Sequence, residues 1–138
     1  MQLTISRDLS DGEANEIGDK LDAFNAEQCG IDDEKGLRLA ARDADGKLIG
    51  GLTGVTGMQW LYIHILWIEL EFRKQGVGLQ LVKRAEELAK EAGCRAACLM
   101  TFSFQAKEFY EGFGYEEYGV LPDYPEGHSL HFMKKELG

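Results

Sequence analysis

Apolar and polar positions alternate along this chain in two rhythms, and the switches between them mark its elements. Leu3 and Ile5 stand between polar neighbours and predict a short first strand. Ser10-Asp11-Gly12-Glu13 has the form of a capping box, in which Ser10 and Glu13 satisfy free N–H groups at a helix start. Ala14, Ile17, Leu21 and Phe24 then follow at helical spacing, and Gly30 is the expected stop. Asp32, Asp33, Glu34 and Lys35 read as a solvated connector. Leu37, Leu39 and Ala41 alternate with Arg38, Ala40 and Arg42, the period of a half-buried strand. Asp45-Gly46 predicts a hairpin turn. The returning strand, Lys47 to Thr56, carries Gly50, Gly51 and Gly54, expected at bulges or close backbone contacts. Trp60 to Ile68 reads as a mostly buried central strand.

The rhythm then changes to that of a long helix. Val77, Leu81, Ala85, Leu88 and Ala92 form one stripe, with Lys83, Glu87, Lys90 and Glu91 outside it, and Gly93 as the cap. Arg95 to Phe102 predicts another buried strand, and Gln105 to Glu111 a short helix ended by Gly112 and Gly114. Tyr115 to Gly119 and Ser129 to Lys135 predict a last pair of strands around a loop, Leu121 to His128. The strands flanking the long helix form a βαβ unit and should run parallel. The hairpins imply antiparallel pairing elsewhere. The expectation is a mixed α/β (α+β) fold in one domain, residues 1–138: a mostly antiparallel sheet of about six or seven strands with helices on both faces.

Composition narrows the classes. No leader with a basic start and a long apolar core is visible, and the run Trp60 to Leu70, broken by His64 and Glu69, falls short of the ~20 residues of a membrane span. The net charge of −9 disfavours nucleic acid and anionic membranes as partners and leaves a cationic amine as one reading. Cys29, Cys94 and Cys98 form no CxxC pair, which fits reduced thiols in a cytoplasm, with Cys94 and Cys98 as buried small hydrophobes.

The segment that carries chemistry is Arg73-Lys74-Gln75-Gly76-Val77-Gly78, where a strand hands over to the long helix. N–H groups at such a helix start converge on an anion, the helix dipole favours negative charge there, and glycine lets a phosphate approach the main chain. No Gly-Lys-Ser/Thr follows, so this is not a magnesium-nucleotide loop. A bare helix start is the plainer reading of the loop taken alone.

Together with two other segments, the loop resembles the GNAT superfamily of acyl-CoA-dependent N-acyltransferases. The family's signature, (Arg/Gln)-x-x-Gly-x-(Gly/Ala), is read here as Arg73-x-x-Gly76-x-Gly78. Ala106-x-x-Phe109-Tyr110-Glu111-x-Phe113-Gly114-Tyr115 is similar to the family's later segment, and Asp45 to Gly51 to its glycine-bearing second hairpin. The resemblance covers nearly all of the chain in the right order. It implies acetyl-CoA as co-substrate and no metal. It implies that main-chain N–H groups from Gln75 to Gly78 cradle the coenzyme A pyrophosphate, with charge from Arg73 and Lys74. It also implies that the main chain around Leu66, Ile68 and Leu70 binds the pantetheine amides, and that Tyr110 donates a proton to the departing thiolate. Ser103 stands where many members carry an asparagine that contacts the cofactor.

Other candidates keep two readings each. His64 and Tyr62 lie on the central strand, and a period of two puts both on the face that Leu66 shares. His64 suits a general base near neutral pH, or is a satisfied core histidine. Glu69 is the second candidate base, or a solvated charge. A free amine can also lose its proton to water. His128-x-x-His131 has metal-ligand spacing only on a helix. On a strand the two rings diverge, so zinc is disfavoured. The loop from Leu121 to His128 either borders an acceptor pocket or is plain surface.

These readings combine into an N-acetyltransferase that passes an acetyl group from acetyl-CoA to a small-molecule or peptide amine by direct attack, without a cysteine nucleophile. The alternative is a non-catalytic acyl-CoA-binding module on the same fold. The resemblance also admits a homodimer.

Overall fold

The computed structural model describes residues 1–138, which fall into two compact units, Met1–Asp32 and Asp33–Gly138. In the first, α1 (Asp11–Cys29) starts on the expected capping box: Ser10 Oγ accepts from the Glu13 N–H at 3.1 Å, and Glu13 Oε1 accepts from the Ser10 N–H at 3.0 Å. Hydrogen bonding holds the Glu13 carboxyl below its ordinary pKa. Gly30 ends the helix in the left-handed region, φ 75°. The first strand expected at Leu3 and Ile5 does not form, because residues 1–10 carry no ladder partner and both side chains are exposed.

The second unit is a six-stranded sheet in the order β1-β2-β3-β4-β6-β5. Its strands are β1 (Lys35–Arg42), β2 (Leu48–Gly57), β3 (Trp60–Ile68), β4 (Ala96–Phe102), β5 (Glu116–Pro122) and β6 (Ser129–Glu136). Only β3 and β4 pair in parallel, across the βαβ unit whose crossover is α2 (Val77–Glu91). A short α3 (Lys107–Gly112) follows β4. In the β1–β2 turn, the Asp43 carboxylate accepts from the Asp45 and Lys47 N–H groups, each at 2.9 Å, and Gly46 takes φ 82°.

Both α2 and α3 lie on one face of this sheet. The apolar stripe of α2 (Leu81, Val82, Ala85, Ala89) packs with Leu52, Leu61, Ile63, Ala97, Leu99, Met133 and Tyr110 in one buried cluster. Burying this apolar surface is the main stabilising term of the unit. One polar network sits inside it. Glu86 on α2, 8% exposed, accepts from the Tyr115 hydroxyl at 2.8 Å and from Lys135 Nζ at 2.9 Å.

The central strand departs from the expectation in two ways. First, it is buried only in its N-terminal half. Leu61 and Ile63 are sealed, whereas His64, Ile65 and Trp67 are exposed. Second, it carries a bulge. Thr53 of β2 faces Ile65 and Gly54 faces Ile63, so His64 has no partner between them. The extra residue reverses the alternation. Leu61 and Ile63 point to the helices before it, and Leu66 and Ile68 point there after it. Tyr62 and His64, whose rings meet edge to face at 4.5 Å, therefore lie on the opposite face from Leu66. The expected shared face of His64, Tyr62 and Leu66 is corrected by that one residue. Gly54 makes the bulge feasible, since a Cβ there would stand 2.3 Å from the Tyr62 carbonyl oxygen.

Candidate active site

The parallel pairing of β3 with β4 stops at Ile63 and Leu99. Beyond it, β3 stays with β2 as far as Ile68, while β4 stays with β6 as far as Phe102. The sheet splits, and a cleft of about 910 Å³ opens between the two strand ends, roofed by the start of α2 and by α3. Leu66, Trp67 and Ile68 form one wall, and Phe104, Ala106, Phe109 and Phe113 form the other. Lys74, Gly76, Val77 and Gly78 close the end at the helix start.

Main-chain groups on the β3 wall face the gap, the Ile68 carbonyl already accepting from Arg73. The Glu69 N–H donates to the Ile49 carbonyl at 2.8 Å, so Ile68, its neighbour in the antiparallel ladder, turns its N–H and C=O away from β2 and toward the gap. Leu66, two residues back, has the same orientation. Leu70 lies just beyond, in the single 3₁₀ turn Leu70–Phe72.

The helix start has the geometry expected of an anion cradle. Lys74 and Gly76 both adopt positive φ, 63° and 82°, and the first helical hydrogen bond runs from the Gln80 N–H to the Gly76 carbonyl at 3.1 Å. The N–H groups of Val77, Gly78 and Leu79 thus have no acceptor within the helix. No acidic side chain lies in the first turn to offset the dipole. Gly78 lets α3 approach: a Cβ at that position would sit 3.4 Å from Phe109 Cζ.

The two flanking polar side chains are folded back. Arg73 donates from Nε to the Ile68 carbonyl at 2.9 Å and lays its guanidinium 4.6 Å above the Trp67 ring centre. Gln75 donates to the Glu71 carbonyl at 3.1 Å. Arg73 therefore clasps the end of β3, and Lys74 is the free cation of the loop.

Tyr110 does not line the cleft, although Phe109 beside it does. The Tyr110 ring is 5% exposed and packs edge to face with Phe109 and Tyr115, at 5.1 and 5.6 Å between centroids. Burial pushes its pKa up to about 12. The hydroxyl makes no hydrogen bond within the protein, yet no unpaired polar atom of the chain is sealed from solvent, so it retains access from outside.

The remaining candidates lie elsewhere. The Ser103 hydroxyl accepts from the Ser129 N–H at 3.0 Å, and its N–H donates to the Ser129 carbonyl at 2.8 Å, which ties the end of β4 to the start of β6. His64 and Glu69 are exposed and absent from the cleft walls, and Glu69 Oε1 accepts from Trp67 Nε1 at 3.4 Å. His131 is held between Ser129 Oγ, at 2.8 Å, and Glu117, while the ring of His128 meets Phe104 at 5.0 Å, so the two histidines diverge. Burial raises the thiol pKa of Cys94 and Cys98, which weakens both as nucleophiles.

Three aromatic residues join the loop before β6 to the cleft. Phe104, on the cleft wall, stacks on Phe102 at 5.1 Å, and Phe102 meets Tyr124 at 5.6 Å. The loop from Leu121 to His128 thus flanks the cleft mouth. The sequence reading missed Phe104; an aromatic just after a strand end was the available signal.

Known proteins resemble this chain in both sequence and fold. The model of the Acetyltransferase (GNAT) family matches residues 6–115. The chain belongs to the GNAT acetyltransferase family. It is 34% identical over 134 residues to acetyltransferase Atu2258 of Agrobacterium fabrum, covering 96% of this chain and 98% of that one. It is 42% identical over 93 residues to the blasticidin-S acetyltransferase of Streptomyces morookaense, covering 67% and 68%. A crystal structure of an acetyltransferase from Bacillus cereus superposes with a TM-score of 0.87 at 36% identity, covering 99% and 97% of the two chains. An aminoglycoside 6'-N-acetyltransferase complexed with coenzyme A shares the fold at 20% identity and a TM-score of 0.67, covering 100% and 98%. As a GNAT member, the chain is an acyltransferase enzyme.

Proposed function

We propose that this GNAT enzyme transfers the acetyl group of acetyl-CoA to the nitrogen of a small amine by direct attack. The observation that carries the reading is the continuity of the cleft, from the unpaired N–H groups at Val77 to Leu79 to the outward main chain of Leu66 and Ile68. A diphosphate suits the first and an extended amide-bearing arm the second, bound as an added strand would be. Coenzyme A offers both in that order, and the aminoglycoside acetyltransferase of the same fold is a coenzyme A complex.

With the arm so placed, the thioester lies where β3 and β4 part. The acceptor nitrogen adds to the carbonyl carbon, the oxygen takes the charge, and an outward N–H of β3 steadies it. The C–S bond then breaks and the sulfur leaves with the electron pair. Tyr110, packed behind the cleft-lining Phe109, is the residue we assign to meet that sulfur with its hydroxyl, which local rearrangement on ligand binding brings to the cleft. Its phenol stays neutral at ordinary pH, and at a pKa of about 12 it serves the thiolate chiefly as a hydrogen-bond donor, because full proton transfer to a thiolate of ordinary basicity runs uphill. The ammonium proton of the acceptor goes to water, since neither His64 nor Glu69 stands on the cleft wall.

The acceptor enters past the aromatic rim of Phe104 and Tyr124. A flat or cationic amine fits that rim, and the relative named for blasticidin S is a reason to include that nucleoside antibiotic among the acceptors tried. Thiol release from acetyl-CoA against a panel of amines tests the reading. Turnover with at least one amine supports it. Acetyl-CoA binding without turnover on any acceptor favours the binding-module alternative.

A further inference from the structure

A second polar cluster of the sheet unit lies apart from the cleft. Ser129 and His131 stand two apart on β6, and a period of two gives them the face of Met133, which is sealed in the core under the helices. Glu117 on β5 pairs with Met133 and Gly119 pairs with Phe132, so Tyr118 between them has no partner. The bulge leaves the Glu117 carboxylate beside His131. A Glu117 oxygen meets His131 Nδ1, and Ser129 Oγ stands 2.8 Å from His131 Nε2. Lys107 Nζ, at the start of α3, holds the same Glu117 oxygen from 3.8 Å.

The donors and acceptors fix the roles. A carboxylate only accepts, so Nδ1 carries the ring proton. In the neutral ring Nε2 is then a lone pair, and the Ser129 hydroxyl donates to it. The histidine is buried, at 9% exposure, and the serine is half-buried at the first position of β6. A hydroxyl, an imidazole and a carboxylate in this order, each held by the next, are the parts of an activated nucleophile.

From this array we infer that Ser129 accepts an acyl group from an activated ester or thioester and becomes a serine ester. Ser129 Oγ adds to the acyl carbonyl carbon while its proton passes to His131 Nε2. Glu117 steadies the imidazolium at Nδ1. The bond from that carbon to the donor's oxygen or sulfur breaks, and the leaving group takes the electron pair and then the proton from Nε2. The Ser129 N–H already donates to Ser103 Oγ at 3.0 Å, so the serine offers no N–H of its own to an oxyanion. A single lasting acylation is expected rather than rapid turnover. None of the three residues lines the cleft, so the inference is independent of the acetyl-transfer reading.

The test treats the intact chain with two acetyl donors, acetyl-CoA and p-nitrophenyl acetate, and maps the product by peptide mass spectrometry. One acetyl group is expected on the peptide that holds Ser129, and Ser129→Ala should remove it. Labelling by either donor supports the inference, and the donor that works tells whether thioesters or small esters feed the site. Glu117→Gln, at a partly exposed position, should slow the labelling by at least ~100-fold, measured well below the Tm of the variant so that folded protein is compared. Acetyl groups on lysines alone, no acetyl group from either donor, or a Ser129 label that forms as fast in Glu117→Gln as in the wild type would each overturn the inference.

Discussion

Ile63 faces Leu99 across the last parallel rung of the sheet, and the two strands separate immediately beyond that pair. Both side chains are sealed in the core, at 2% exposure each, so the fork is anchored from inside. One residue later on β3 comes the His64 bulge, which bends the strand and turns its free edge to the cleft. The opening that admits a ligand is therefore built into strand pairing, and loops only trim it.

Gly76→Ala should weaken acetyl-CoA binding without a steric clash. There is open space around the position, but its φ of 82° strains any residue with a Cβ by about 1–2 kcal/mol. The turn will relax and its N–H groups will lose their convergence. Calorimetric titration should give an affinity for acetyl-CoA roughly tenfold lower, with a modest fall in Tm.

Tyr110→Phe keeps the ring packing against Phe109 and Tyr115 and removes only the hydroxyl. The expected result is kcat lower by ~10²–10⁴ with the acetyl-CoA affinity unchanged. His64→Ala and Glu69→Gln, by contrast, should each leave kcat within a few-fold and the pH profile unmoved. A large loss in either would restore that residue as the base.

Alkaline pH should destabilise the sheet unit. Burial raises Tyr110 to about 12, and burial together with the Glu86 charge raises Tyr115 as well. The folded state thus favours the protonated phenols. Their contribution is fully present below pH ~10, the ordinary tyrosine value, and fades as pH climbs through the raised values. Tm measured from pH 9 to 12 should fall, less steeply in Tyr110→Phe than in the wild type.

Glu86→Ala should be among the most damaging substitutions outside the cleft. It leaves Lys135 and the Tyr115 hydroxyl without their shared acceptor under α2. Removing one member of a buried pair costs about 3–5 kcal/mol, at the lower end here because Lys135 is partly exposed. Thermal denaturation should show a Tm drop on the order of 10 °C.

What could be read from the sequence was local. The Ser10–Glu13 cap, the Asp45–Gly46 turn, the α2 stripe and the glycine-bearing helix start each rest on a few neighbouring residues, and each stands where expected. What escaped depends on distant partners. The strand expected at Leu3 and Ile5 needs a neighbouring ladder, and residues 1–10 have none. The His64 bulge is set by pairing with Thr53 and Gly54, so period-two reasoning along β3 alone put Leu66 on the wrong face. Ile65 and Trp67 fall on the face away from α2 and α3 because the bulge resets the alternation, which nothing within β3 encodes. Ser103 reads as a cofactor contact by position, but its reach to Ser129 depends on a strand that begins 26 residues later.

Amide NMR of ¹⁵N-labelled protein titrated with acetyl-CoA tests the central claim most directly, because it reports each N–H of the cleft separately. The largest shifts should fall on Gly76, Val77, Gly78 and Leu79 at the helix start and on Leu66 and Ile68 along β3. Saturable binding that leaves those six amides in place, or no binding at all, would contradict the account.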